Sequence, residues 1–143
     1  MIAFPQDQTL NAILDLGLNA NTHSEVIALL ETGLPFAAFK HLQASLETTE
    51  QALAQAISVP TATLARRKKT GRFDLEESDR LLRIGRLVSQ SQTLFRNPSG
   101  AAAWFAKPAR ALGGKTPLEY ARTEVGAREV EALLERLLDG QAL

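Results

Sequence analysis

Residues 49–73 decide the fold: Thr49-Glu50-Gln51-Ala52-Leu53-Ala54-Gln55-Ala56-Ile57-Ser58-Val59-Pro60-Thr61-Ala62-Thr63-Leu64-Ala65-Arg66-Arg67-Lys68-Lys69-Thr70-Gly71-Arg72-Phe73. Thr49 suits a helix cap, and Leu53 and Ile57 stand one turn apart on the helix that follows. Pro60 has no N–H and disfavours helical geometry in Val59, so that helix must stop at Ser58-Val59-Pro60. Thr61 is then placed to cap a second helix over Ala62–Lys69. Two short helices joined by a turn of about three to four residues make a helix-turn-helix. Small Ala54 falls where the helices would cross, and Leu53, Ile57, Val59 and Leu64 would wedge the pair onto a core. Arg67 departs from this pattern, standing where another apolar anchor is usual. Either the second helix ends early or the arginine lays its stem along the core with its head outside.

From Thr61 to Phe73 there are five cations, Arg66, Arg67, Lys68, Lys69 and Arg72, and no acid. Cations suit any helix C-terminus, but on the second helix of a helix-turn-helix they point to DNA. The overall charge is zero, yet it is unevenly spread. Residues 1–48 hold one Lys against five acids (net −4), residues 49–96 nine Lys/Arg against five acids (net +4), and residues 97–143 six of each. A basic middle segment is the electrostatic footprint of a polyanion. Thr61, Thr63 and Arg66 lie on the N-terminal half of the recognition helix away from Leu64 and are the candidates for base edges. Arg67, Lys68, Lys69 and Arg72 are the candidates for phosphates. One copy would bury too little surface for a specific site, so a dimer reading two half-sites is expected.

Outward from this unit the pattern stays helical, and the expected fold is all-α. Upstream, a short helix from Thr9 to Leu16 stops at Gly17, Ser24 is placed to cap Glu25–Glu31, and Pro35 to open a helix carrying Phe36, Phe39, Leu42 and Leu46. Downstream, Asp74-Leu75-Glu76-Glu77 reads as a capping box opening a long helix to Phe95. Leu81, Ile84, Val88 and Phe95 form its inward stripe, with Glu76–Arg80 and Asp79–Arg83 as i,i+4 pairs. Asn97-Pro98-Ser99-Gly100 marks a boundary. Beyond it come a helix with Trp104 and Phe105 halted by Pro108, a Gly113-Gly114 turn, and a capped start at Thr116-Pro117-Leu118-Glu119. Gly126 is expected to break or kink the chain before a last helix whose Val130, Leu133, Leu134, Leu137 and Leu138 share one face, closed by Gly140. Trp104 reads as a core anchor. The organisation is thus an N-terminal extension (1–33), a helix-turn-helix domain (34–96) and a C-terminal helical module (97–143).

Several functions have no residues to carry them. With no cysteine there are no disulfides, thiolate catalysis or cysteine-held metal. His23 and His41 have no metal-ligand spacing, and no nucleophile elbow, phosphate loop or dinucleotide fingerprint is present. The reading is therefore a non-enzyme without cofactor or metal. The longest apolar run, Ala101–Ala106, is too short to cross a bilayer, and Met1-Ile2-Ala3-Phe4-Pro5 lacks a basic secretory n-region, so a cytoplasmic protein is expected.

Trp104, Pro108, Leu112-Gly113-Gly114, Thr116-Pro117, Thr123, Gly126-Ala127-Arg128, Val130 and Gly140 resemble the toxin-binding domain of the Xre/MbcA/ParS antitoxin family. Gly33-Leu34-Pro35, the helix-turn-helix and Glu76-Glu77-Ser78-Asp79-Arg80-Leu81-Leu82 resemble that family's Xre-like part. The resemblance covers roughly residues 25–140, in order, which makes it more specific than one short motif. It implies an antitoxin encoded beside a RES-domain toxin that depletes NAD, binding that toxin at its NAD site and repressing the shared promoter. The toxin-facing candidates are then the last helix and tail: Arg128, Glu131, Glu135, Asp139, Gln141, Ala142 and Leu143. Glu131, Glu135 and Asp139 form a like-charged column that weakens an isolated helix, which suits a basic partner surface as well as a solvated face. The alternative function is a plain helix-turn-helix regulator whose C-terminal module dimerises or holds another protein.

Overall fold

The spine of the computed structural model, which describes residues 8–140, is one long helix against which most others lean. In chain order the α-helices are α1 (Gln8–Asp15), α2 (His23–Thr32), α3 (Phe36–Leu46), α4 (Glu50–Ala56), α5 (Thr61–Thr70), α6 (Leu75–Phe95), α7 (Pro98–Ala106), α8 (Pro117–Tyr120) and α9 (Glu124–Leu138). A 3₁₀ turn, Arg110–Leu112, links α7 to α8. The fold is all-α; among the described residues the only extended pairing is a single bridge between Pro35 and Arg72. No described helix is long and apolar enough to cross a membrane.

The spine is α6. Asp74 accepts from Glu77 N–H at 2.8 Å, while the Glu77 carboxylate accepts from Asp74 N–H at 2.9 Å, so two otherwise unpaired donors are satisfied reciprocally. Leu81 and Ile84 are fully buried, and Leu87 and Val88 nearly so. Helix α1 covers one flank through Ala12 and Ile13, with Leu16 just beyond its end, and α9 another through Val130, Leu133 and Leu134. Helix α7 closes against α3 and α6. Phe36, Phe39 and Phe73 stack with ring centroids 5.3–5.8 Å apart, tying α3 to the link after α5.

The core crosses the Asn97-Pro98 corner without interruption. Asn97 caps α7 by accepting from Ser99 N–H at 3.0 Å, and Pro98 is that helix's first residue. Phe105, Leu112, Val130, Leu133 and Leu134 belong to the same apolar cluster as Leu53, Ile57, Leu81 and Ile84. Trp104 is half-buried, its ring 6.0 Å from Phe95 and edge-on to Phe105 at 5.1 Å.

Several local expectations are corrected. Helix α2 is capped by Thr22, whose hydroxyl accepts from Glu25 N–H at 3.1 Å, and Ser24 lies inside the helix. Pro35 and Pro60 occupy the cap positions of α3 and α5, so Thr61 is the first residue of its helix rather than the cap. The pairs Glu76–Arg80 and Asp79–Arg83 do not form: Arg80 Nε donates to Ile57 O at 2.7 Å, and Arg83 reaches Arg122 O at 2.8 Å and Glu124 at 3.6 Å. For Arg80 the part-buried carbonyl of Ile57 outweighs an exposed carboxylate one turn away, because that carbonyl left unpaired carries the larger desolvation cost. Gly126 does not break the chain; it sits in the first turn of α9 and donates its N–H to Thr123 Oγ1 at 2.9 Å.

Candidate nucleic-acid interface and acidic helix

The turn between α4 and α5 is built by hydrogen bonds that end one helix and aim the next. Thr49 Oγ1 accepts from Ala52 N–H at 3.0 Å and starts α4. At its other end Ser58 N–H donates to Gln55 O at 3.1 Å and Val59 N–H to Ala54 O at 2.9 Å, the pairing of a Schellman motif. Ser58 takes the left-handed residue of that motif at φ 56°, a position more often glycine. Leu53, Ile57, Val59 and Leu64 are all buried, as the spacing requires of a wedge onto the core. No side chain caps the N-terminus of α5.

Helix α5 turns one face outward. Thr61, Ala62, Ala65, Arg66 and Lys69 are exposed, Leu64 is buried, and Thr63 and Arg67 are intermediate. Thr63 Oγ1 accepts a long 3.4 Å contact from Arg66. Ala62 and Ala65 were not among the sequence candidates. Two residues of α-helix turn by about 200°, so positions 62 and 66 both stand opposite Leu64, and that arithmetic alone exposes Ala62.

The basic run divides by partner. Arg67 Nε donates to Glu77 Oε1 at 2.7 Å and its Nη2 to Glu77 Oε2 at 3.2 Å, with Asp74 at 3.4 Å. Its stem follows the core, and the Glu77 carboxylate holds the guanidinium above its ordinary pKa. Lys68 pairs with Glu50 at 3.1 Å and lies 5.8 Å over the Phe36 ring. Glu50 also meets Lys40 at 3.0 Å, and these ammonium hydrogen bonds, Lys40's first, hold its carboxyl below the usual range. Arg72 donates to Gly33 O at 2.9 Å. Of the expected phosphate residues, Arg67, Lys68 and Arg72 therefore carry internal bonds, whereas exposed Lys69 has none among the described residues.

Between α6, α1 and α9, Glu131, Glu135 and Asp139 form one wall of a groove of about 670 Å³. Arg83, Arg86 and Gln90 of α6 and Gln8 and Thr9 of α1 line much of the opposite side. The acidic column thus faces a basic wall rather than open solvent alone. Arg128 is exposed and pairs one turn back with Glu124 at 3.0 Å; that bond is the first cause of Glu124's lowered pKa. Gln141, Ala142 and Leu143 lie outside the described residues.

A helix-turn-helix with an outward recognition face, fused through one core to a helical module with a charged groove, defines a DNA-binding protein with an added protein-binding part. Residues 25–86 match the Antitoxin Xre-like helix-turn-helix domain, and residues 90–140 the Antitoxin Xre/MbcA/ParS C-terminal toxin-binding domain. An Antitoxin Xre of Yersinia enterocolitica is 32% identical over 88% of this chain and 86% of its own length. An Antitoxin Xre of Photorhabdus laumondii is 28% identical over 87% and 86% respectively. A Sphingobium protein named Prs ADP-ribosylating antitoxin is 24% identical over 80% and 78%. The chain belongs to the Xre antitoxin family.

Proposed function

We propose that this antitoxin neutralises a RES-domain toxin that depletes NAD and represses its own operon as a homodimer in the cytoplasm, without catalysis of its own. The observation that carries the reading is the match of residues 25–86 to a DNA-binding domain and of residues 90–140 to a toxin-binding one in a single chain. The name of the Sphingobium relative joins an antitoxin to ADP-ribosylation, a chemistry that draws on NAD, and supports an NAD-consuming partner.

In this reading residues 34–96 read the operator and residues 97–143 hold the toxin, with residues 1–33 as an extension whose helices α1 and α2 pack on α6. Thr61, Thr63 and Arg66 meet base edges, Arg66 pairing with guanine and the Ala62 and Ala65 methyls lying against apolar groove surface. Lys69 meets a phosphate; Lys68 and Arg72 can add field strength while keeping their internal bonds, and Arg67 acts by holding α5 to α6. On the toxin side, Arg128, Glu131, Glu135 and Asp139 supply a charged helix face. The tail Gln141-Ala142-Leu143 reaches toward the pocket that would otherwise hold NAD.

The test uses the toxin encoded beside this chain and an NAD-consumption assay. Deleting Gln141–Leu143 should restore NAD loss while leaving operator binding and helical circular dichroism unchanged. If the neighbouring protein consumes no NAD, the RES assignment is wrong. If the shortened chain still silences it at equal concentration, inhibition belongs to the α9 face. Truncation at Asn97 is the poorer experiment, because it strips Phe105, Val130, Leu133 and Leu134 from the common core.

A further inference from the structure

The neutral charge of the C-terminal module conceals a second polarity. Residues 97–123 hold four cations, Lys107, Arg110, Lys115 and Arg122, against one acid, Glu119 (net +3). Residues 124–143 hold two cations against five acids (net −3). The fold keeps the two apart. The acidic part is α9, which packs on α6, whereas the cations sit between α7 and α8 and just after α8, which leans on α4 of the helix-turn-helix.

That packing places two of the four cations at the DNA-reading end. Arg122 is exposed, and its Nε lies 3.4 Å from Ser58 Oγ in the helix-turn-helix turn, three residues before Thr61. Lys115 is exposed on the same side and shares with Arg122 a groove of about 460 Å³ against α4. Its polar lining includes Thr48, Gln55 and Thr116, hydroxyl and amide groups that can donate to an anion. Neither Arg122 nor Lys115 is in an ion pair among the described residues. The only acid of this segment, Glu119, also lines this groove and feels the Lys115 charge, but its carboxylate is engaged in its own helix cap, accepting from Thr116 N–H at 3.0 Å. In a helix-turn-helix complex the N-terminus of the recognition helix is the end nearest the base edges, so whatever borders it lies over the phosphates that rim the major groove.

We propose that the C-terminal module is itself part of the DNA interface: Arg122 and Lys115 hold backbone phosphates of the duplex beside the groove that α5 reads. The proposal rests on the helix-turn-helix reading given above and extends it to residues outside the domain that matches a DNA-binding family. One module then presents a basic end to DNA and an acidic helix to its protein partner. Arg80, Arg83 and Arg122, through Ile57 O, Arg122 O and Ser58 Oγ, set its position against the turn.

The test is binding of the full chain to a labelled duplex spanning its own promoter and to a scrambled duplex of equal length, each titrated over a series of salt concentrations. Removing the cation from one phosphate should flatten the slope of log affinity against log salt by about 0.9. Arg122→Gln and Lys115→Gln should each show that flattening, and together about twice it, on both duplexes. The ratio between cognate and scrambled binding should be unchanged, because phosphates carry no sequence. Arg122→Lys keeps the charge and should keep the slope, which separates a phosphate contact from a merely structural hold on Ser58. Unchanged slopes for both glutamine variants, with cognate preference still abolished in Arg66→Ala, would overturn the proposal and leave the helix-turn-helix reading standing. If Arg66→Ala also had no effect, both would fall. Unchanged DNA binding together with failure to co-purify the toxin would assign this basic face to the toxin and overturn the proposal too.

Discussion

Replacing Gly126 by alanine should destabilise this protein, against the usual sense of a glycine-to-alanine change in a helix. On an open helix face alanine is better than glycine by about 1 kcal/mol. Here a β-carbon would stand 1.8 Å from the Tyr120 carbonyl oxygen and 3.1 Å from Thr123 Oγ1. Carbon and oxygen normally approach no closer than about 3.3 Å, so α8 and α9 would have to part by roughly 1.5 Å. Overpacking of this kind costs about 3 kcal/mol at the upper end, leaving a net loss near 2 kcal/mol after the helix gain. For a chain of this size that is a fall in melting temperature of about 4–8 °C. The internal control is Gly85→Ala in α6, whose β-carbon would meet Leu16 and Ala12 at an ordinary 3.6–3.7 Å. That variant should be more stable by about 1 kcal/mol. Thermal unfolding followed by circular dichroism reads both. A Gly126→Ala protein melting at or above the parent would refute the close approach of α8 to α9, and with it the reason this helix holds a glycine.

Arg67→Ala should cost about 2–4 kcal/mol in urea unfolding, because it leaves the buried Glu77 carboxylate with only its backbone partner, the pair being partly screened by solvent. Adding Glu77→Gln to Arg67→Met should recover much of that loss, since glutamine keeps the capping box without the charge; a double variant no better than the single would sink the account. Glu135→Gln breaks two like-charged i,i+4 pairs and should raise stability by a few tenths of a kcal/mol while weakening toxin neutralisation; unchanged neutralisation would return the acidic column to the solvent. The depressed carboxyls of Glu50 and Glu124 should make stability fall on acidification. In each the unfolded chain takes up its proton first, so their contribution is complete above the ordinary value of 4.5 and is lost as pH drops through the lowered folded value. Urea midpoints across that range should flatten in Glu50→Gln, and an identical acid slope in the variant would remove Glu50 from the explanation.

What is legible in the sequence is local. Both capping boxes, at Asp74 and Thr116, and the helix-turn-helix follow from residues within a few positions of one another, where hydrogen-bond geometry leaves little choice. Helix α1 is only weakly legible: its pattern is short, but Ala12 and Ile13 are wholly buried because α6 supplies the opposite face from seventy residues away. The arginines are the least legible residues. Arg67, Arg80 and Arg83 find partners ten to about forty residues distant, and a sequence window sees only the nearest acid one turn along the helix. The same blindness hides Arg122, whose neighbour Ser58 lies 64 positions upstream.

The single apolar cluster that runs from Ala12 to Leu134 also bears on how this protein is digested. A protease needs a locally unfolded stretch, and here neither half can open without uncovering the core of the other. Under the proposed function, a toxin held on α9 would protect α5 from digestion by mass action, by about 2.7 kcal/mol when free toxin stands at a hundred times its Kd. Turnover of the repressor and release of the toxin would, under that function, become one event: a chain digested off the toxin would in the same moment be lost from the promoter.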